Sequence, residues 1–232
     1  MLNLYVAGAT LNASTNKLDM MIQKFSRSGD LLWQTTFGGA LNEDDMAADL
    51  FIDDNYNVYV TGAVAETLQN FYDLAVIKLN SSGVVQWQYY YDYGGSPFPY
   101  DAGTAITGDN DGHIYVTGSS AGNNTGSDYV IIKLTSANGN EVWVRRFDHL
   151  GLDDVPANIV LGQLGVPIVI VAGASQIDNN PDTWVMSTFV MDTSNQISGD
   201  IQSGQSIAGG ISEVYDMTVD NNDNIYIVGT LK

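Results

Sequence analysis

Cysteine is absent from the 232 residues, which removes disulfides, thiolate metal sites and thiol nucleophiles from consideration. Cations are scarce: 8 Lys and Arg stand against 27 Asp and Glu, a formal charge of −19. A chain this poor in clustered cations cannot hold a phosphate backbone, so nucleic acid is excluded as a partner. Only two histidines are present, His113 and His149, and no nucleophile stands beside either in sequence. A Ser-His-acid arrangement is therefore not visible, and no catalytic residue is assigned. Long apolar runs are missing too: Ile168 to Ala172 is strand-sized, far short of the ~20 residues that a membrane-spanning helix needs. Membrane insertion is not expected. The opening stretch, Met1 to Gly8, alternates like a strand and lacks the cationic and continuous apolar segments of a secretory leader, so no signal peptide is expected in this chain.

What the chain has is 44% hydrophobic residues and 24 glycines, ample for a packed core joined by tight turns. An apolar strand ending in glycine recurs at Gly8, Gly62, Gly118, Gly173 and Gly229, at intervals of 54, 56, 55 and 56 residues. A second column runs from Asp to Lys: Asp19 to Lys24, Asp73 to Lys78 and Asp128 to Lys133, with Asp182 to Ser187 as a variant copy. A third places a Trp four residues after a turn glycine, at Trp33, Trp87 and Trp143, and the region Ser194 to Ser198 lacks it.

Each unit of ~55 residues reads as four short strands, A to D, with no helical periodicity, which is the pattern of a β-propeller blade. Strand A falls at Ala48 to Ile52 or Thr104 to Thr107, and the glycine-ending strand is B. The expected fold is an all-β propeller of four-stranded antiparallel blades forming one domain over 1–232. It divides into a partial repeat 1–46, repeats 47–102, 103–154 and 155–211, and a partial repeat 212–232. One B strand is surplus to a closed four-bladed ring. The ends can close one blade with a strand left over, form two partial blades of a five-bladed ring, or pair as edges with another chain; the whole also reads as a segment of a larger propeller.

The stretch Ala48 to Asp53 followed by Asn57 to Gly62 resembles the bacterial β-propeller repeats called SBBP repeats, as does Asp101 to Gly103 through Asp111 to Gly118. Ile77 to Gly83 and the strand carrying Trp87 resemble the second half of that repeat. The resemblance implies the propeller fold and a secreted or cell-surface bacterial setting. It implies no particular activity.

Propeller topology puts the D-to-A and B-to-C loops on one face. Asp45, Asp101 and Asp153 or Asp154 precede strand A, with Glu213 in that place in the last unit, and Asp19, Asp73, Asp128 and Asp182 precede strand C, so two carboxylate columns share that face. Such columns repel unless they are spaced apart, capped by loop amides or neutralised by a hard cation, with calcium the cofactor they would suit. Repetition in every blade favours loop capping. The acidic turns at Asp53, Asp109 and Asp220 lie on the opposite face, and the Asp109 turn lacks the Glu of an EF-hand loop. His113 sits in one of these turns, where other copies have Asn.

The second unit departs from the repeat in its aromatics. Tyr89, Tyr90, Tyr93, Phe98 and Tyr100 are extra, and they are expected either to offer a glycan or a protein partner a stacking surface, or to form a tyrosine ladder between blades. The sequence thus favours a non-enzymatic extracellular or surface module that binds, builds or self-assembles through its terminal strands. The alternative is a carbohydrate-active hydrolase or lyase working with the carboxylate face.

Overall fold

The computed structural model describes residues 3–66, 72–94, 100–123, 125–163, 167–179, 184–193, 211–222 and 224–231. Every regular element among them is a strand. The first sheet is β1 (Leu4–Asn12), β2 (Lys17–Phe25) and β3 (Leu31–Phe37). The second is β4 (Met46–Ile52), β5 (Val58–Val64), β6 (Asp73–Leu79) and β7 (Val85–Tyr91), and the third is β8 (Asp101–Gly108), β9 (His113–Ala121), β10 (Ser127–Thr135) and β11 (Glu141–Phe147). The fourth contains β12 (Asp154–Gln163), β13 (Pro167–Gln176) and β14 (Trp184–Asp192), and the fifth β15 (Ile211–Val219) and β16 (Ile225–Leu231). All pair antiparallel and in sequence order. These are propeller blades: among the described residues two hold all four strands, the first sheet holds B to D, the fourth A to C and the fifth A and B. The Ser194 to Ser198 region and Asp182 lie outside the described residues.

The glycine column has a steric cause. Where strand A meets strand B its register slips by one residue, between Ala47 and Asp49 in the second sheet and between Gly103 and Ala105 in the third. That bulge presses strand A onto the glycine: a Cβ on Gly62 would lie 2.0 Å from the Met46 carbonyl oxygen, and one on Gly118 2.2 Å from that of Ala102. No other residue fits there. Gly8 occupies the same place in the first sheet, where the described residues supply no strand A, and a Cβ there meets nothing within 4 Å.

Consecutive sheets stack face to face. Tyr59 and Val76 pack on Ile114, Val116 and Ile132 of the third sheet, while Val58, Val60 and Ile77 receive Met20, Ile22 and Trp33 of the first. The Asp-to-Lys column ends in a device for this stacking. Lys24, Lys78 and Lys133 hold their ammonium groups 5.2 Å over the rings of Tyr5, Tyr59 and Tyr115. Each donates to a turn carbonyl of the next blade: Ser81 at 3.2 Å, Ser136 at 2.7 Å and Thr193 at 2.8 Å. Trp33 and Trp87 share the first two acceptors through their indole N–H, both at 3.1 Å. A ring, a cation and an indole from one blade thus converge on one turn of its neighbour, and each cation–π contact contributes on the order of 0.5–1 kcal/mol.

Stacking stops at the ends. Leu4 is 60% exposed where its equivalent Val58 is fully buried, and Tyr226 is 56% exposed where its equivalent Tyr59 is fully buried. No described residue covers the outer faces of the first and fifth sheets at Leu4 and Tyr226.

Candidate functional site

Strand register brings the two carboxylate columns together, as topology requires. Asp154 opens β12 and Asp128 lies at the start of β10, and with Asp148, just past β11, they place carboxylate oxygens within 4.8 Å of one another. At the first blade junction Asp19 and Asp45 flank Gly38, whose absent Cβ would lie 3.0 Å and 3.5 Å from their oxygens. Asp45, Asp73, Asp101, Asp128 and Asp154 are all buried.

Equivalent acids nonetheless do different work. Asp45 accepts the Gly39 amide at 2.7 Å on one oxygen and the Ala65 amide at 2.8 Å on the other. In the next two blades the amide equivalent to that of Ala65 is taken by backbone instead: Ala121 donates to the Tyr100 carbonyl at 3.1 Å and Gln176 to that of Asp153 at 2.8 Å. Asp101 then accepts the Tyr93 amide and has the Ser120 hydroxyl beside it, and Asp154 accepts the His149 amide and has the Ser175 hydroxyl beside it, each hydroxyl favouring the charged carboxylate. Oδ1 of each is buried without a partner, as is Oδ1 of Asp128. Loop amides therefore engage both oxygens of Asp45 and one oxygen each of Asp101 and Asp154.

Electrostatics follow from burial and crowding. Burial pushes Asp154 up to about 6, and the charges of Asp148 and Asp128 add to the shift. Asp73 is likewise pushed up to about 6 by burial, with Asp92, Asp101 and Glu66 adding to it. Asp128 is raised by burial despite an ion pair with Arg146, Nη2 to Oδ2 at 2.6 Å. Asp19 is held by the Asn12 side-chain amide at 2.9 Å, and Asp182 lies outside the described residues.

Sequence reasoning missed two members of this cluster. Asp148 follows Phe147 as Asp92 follows Tyr91 and Gly38 follows Phe37; the column changes residue from blade to blade and so reads as loop. Arg146 stands where the earlier copies have Tyr90 and Thr36. The Arg145-Arg146 pair, in a chain with only 8 Lys and Arg, was the available signal.

The five extra aromatics separate. Tyr89 packs between the second and third sheets and donates its hydroxyl to Glu141 Oε2 at 2.7 Å, while Tyr90, on the other side of β7, packs between the first and second. Both serve as blade packing, the tyrosine-ladder role. Tyr93 and Tyr100 are exposed on the carboxylate face. The Arg146 guanidinium lies 3.7 Å over the Tyr93 ring, and Tyr100 meets Tyr72 edge-on at 5.6 Å. Phe98 lies outside the described residues.

On the opposite face the acidic turns are closed. Asp109 accepts the amides of Asp111 and His113, the His113 ring nitrogen at 3.0 Å and the Tyr115 hydroxyl. Asp53 and Asp220 repeat the arrangement with Asn57 and Asn224, and these bonds hold Asp220 down at about 2. A cavity of about 320 Å³ lies between the Asp53 and Asp109 turns, lined also by Phe51, Tyr59 and Ser136. Of its three acids Asp53 and Asp109 are spent on their own turns, and His113 is the first residue of β9, its ring held by Asp109.

No protein-family model matches the chain, and no curated protein does. Among solved structures, it is similar to the quinohemoprotein alcohol dehydrogenase ADHIIG of Pseudomonas putida HK5, with 10% identity and a TM-score of 0.48. The match covers 73% of this chain and 31% of that one, so the chain spans about a third of the length of that protein.

Proposed function

We propose that the protein is a non-enzymatic binding and structural module, working outside the cell or on its surface, whose end faces take up further blade surface, a second copy of the chain first of all. The observation that carries this reading is the contrast between Tyr59, fully buried, and Tyr226, 56% exposed. Both tyrosines donate to the turn aspartate six residues before them, so the same knob is formed in both places and is covered in only one. The first sheet offers the matching surface: Leu4 and Val6 stand where Ile114 and Val116 receive Tyr59 in the interior. Burying such a pair of faces follows the stacking logic of repeat proteins, where one blade cannot cover its own apolar face. The likeness to SBBP-type repeats supports the surface setting.

The hydrolase or lyase alternative has less behind it. Asp101 and Asp154 are fully buried, which leaves a glycosidic oxygen no approach to them. Exposed Tyr93 and Tyr100 leave room for a glycan or protein ligand beside the assembly role.

Light scattering from micromolar to near-millimolar protein tests the reading. Mass should rise with concentration, and Tyr226→Asp or Val6→Lys should hold the chain monomeric with its Tm unchanged. A constant monomer mass in the unaltered chain would overturn it.

A further inference from the structure

Asp128, Asp148 and Asp154 bring three carboxylate oxygens within 4.8 Å of one another at the junction of the third and fourth blades. Asp154 is fully buried and Asp128 is 5% exposed, and each has an Oδ1 atom with no hydrogen-bond partner. Buried acceptors are nearly always satisfied, and an unpaired one costs about 1–3 kcal/mol. Two in one cluster mark a missing partner that carries positive charge.

Arg146 supplies only part of it. Its guanidinium takes Oδ2 of Asp128 and the Ser120 hydroxyl and carbonyl, and stacks on Tyr93. Ser175, hydrogen-bonded to Ser187, also has its hydroxyl beside Asp154, where it brings no positive charge. Three carboxylates and one guanidinium sum to −3 + 1 = −2, the charge that one divalent cation cancels. Asp148 is exposed, and its Oδ1 accepts the Gly151 amide at 2.7 Å. It leaves the cluster an open side through which an ion could enter and keep water ligands.

We infer that Asp128, Asp148 and Asp154 bind one divalent cation of the calcium class between the third and fourth blades. An all-oxygen set without nitrogen or sulfur suits a hard ion, and calcium accepts an irregular shell completed by water. The site is specific to this junction. At the first, Gly38 replaces the third acid and both oxygens of Asp45 are capped. At the second, no trio of carboxylate oxygens comes within 4.8 Å among the described residues, and Tyr90 stands in the place of Arg146. The inference is independent of assembly through the end faces.

The test is calcium titration of the chelator-treated chain, read by Tm and by terbium luminescence, with magnesium at equal ionic strength as control. Asp148→Asn is the decisive variant, because the asparagine oxygen still accepts the Gly151 amide; Asp92→Asn is its control. At ~100-fold saturation calcium should raise Tm by about 5 °C or more, with saturable terbium emission that calcium displaces. Both effects should vanish in Asp148→Asn and persist in Asp92→Asn. No calcium-dependent rise, or an equal rise in Asp148→Asn, would overturn the site.

Discussion

Asp45 takes the Ala65 amide at 2.8 Å, while Asp154, at the same place two blades on, leaves the corresponding oxygen unpartnered. The difference predicts unequal costs of truncation. Asp45→Ala would orphan two backbone donors, those of Gly39 and Ala65, at about 2–4 kcal/mol. Asp154→Ala would orphan the His149 amide while removing a buried charge. Measured in chelator, its cost should be about half or less of the Asp45→Ala cost. Urea unfolding of the two variants checks this, and equal losses would contradict it.

The glycine column predicts a second contrast. Gly62→Ala would drive a methyl to 2.0 Å from the Met46 carbonyl, so strand A must detach or shift, at about 3 kcal/mol or more. Gly8→Ala meets nothing within 4 Å and should be neutral or stabilising by about 0.4–1 kcal/mol, because alanine narrows the unfolded ensemble. Thermal unfolding should separate the two by many degrees. A destabilising Gly8→Ala would mean that strand A is supplied beside β1 from elsewhere.

The repeat made the fold legible. Intervals near 55 residues, the alternating strands and the turn glycines sufficed to expect four-stranded blades, because each follows from local pattern. Why Gly62 must be glycine was not legible, since the bulged strand that presses on it is defined only once β4 pairs with β5. The shared face of Asp128 and Asp154 followed from topology alone. That Asp45 is doubly capped and Asp154 is not depends on which acceptor the Ala65 and Gln176 amides choose, and sequence carries no sign of that choice. Tyr89 and Tyr90 looked alike as extra aromatics, yet strand alternation sends them to opposite blade interfaces.

Stability should fall as pH rises from about 4 to about 7 on account of Asp73. Its pKa is raised from 3.8 to about 6 in the folded chain, first by burial and then by Asp92, Asp101 and Glu66. The protonated form therefore fits the fold better than the charged one. Below the unfolded pKa both states hold the proton and the contribution is fully present. Between the two pKa values the unfolded chain releases its proton first, so stability declines, and it levels off once pH passes the folded value. Asp73→Asn keeps the shape and removes the titration. In chelator at pH 7.5 the variant should exceed the unaltered chain by an amount on the order of 1–2 kcal/mol, and near pH 4 the two should unfold together. Tm measured across this range decides it: a gap that stays constant with pH would show that Asp73 is held ionised by groups other than those that raise it.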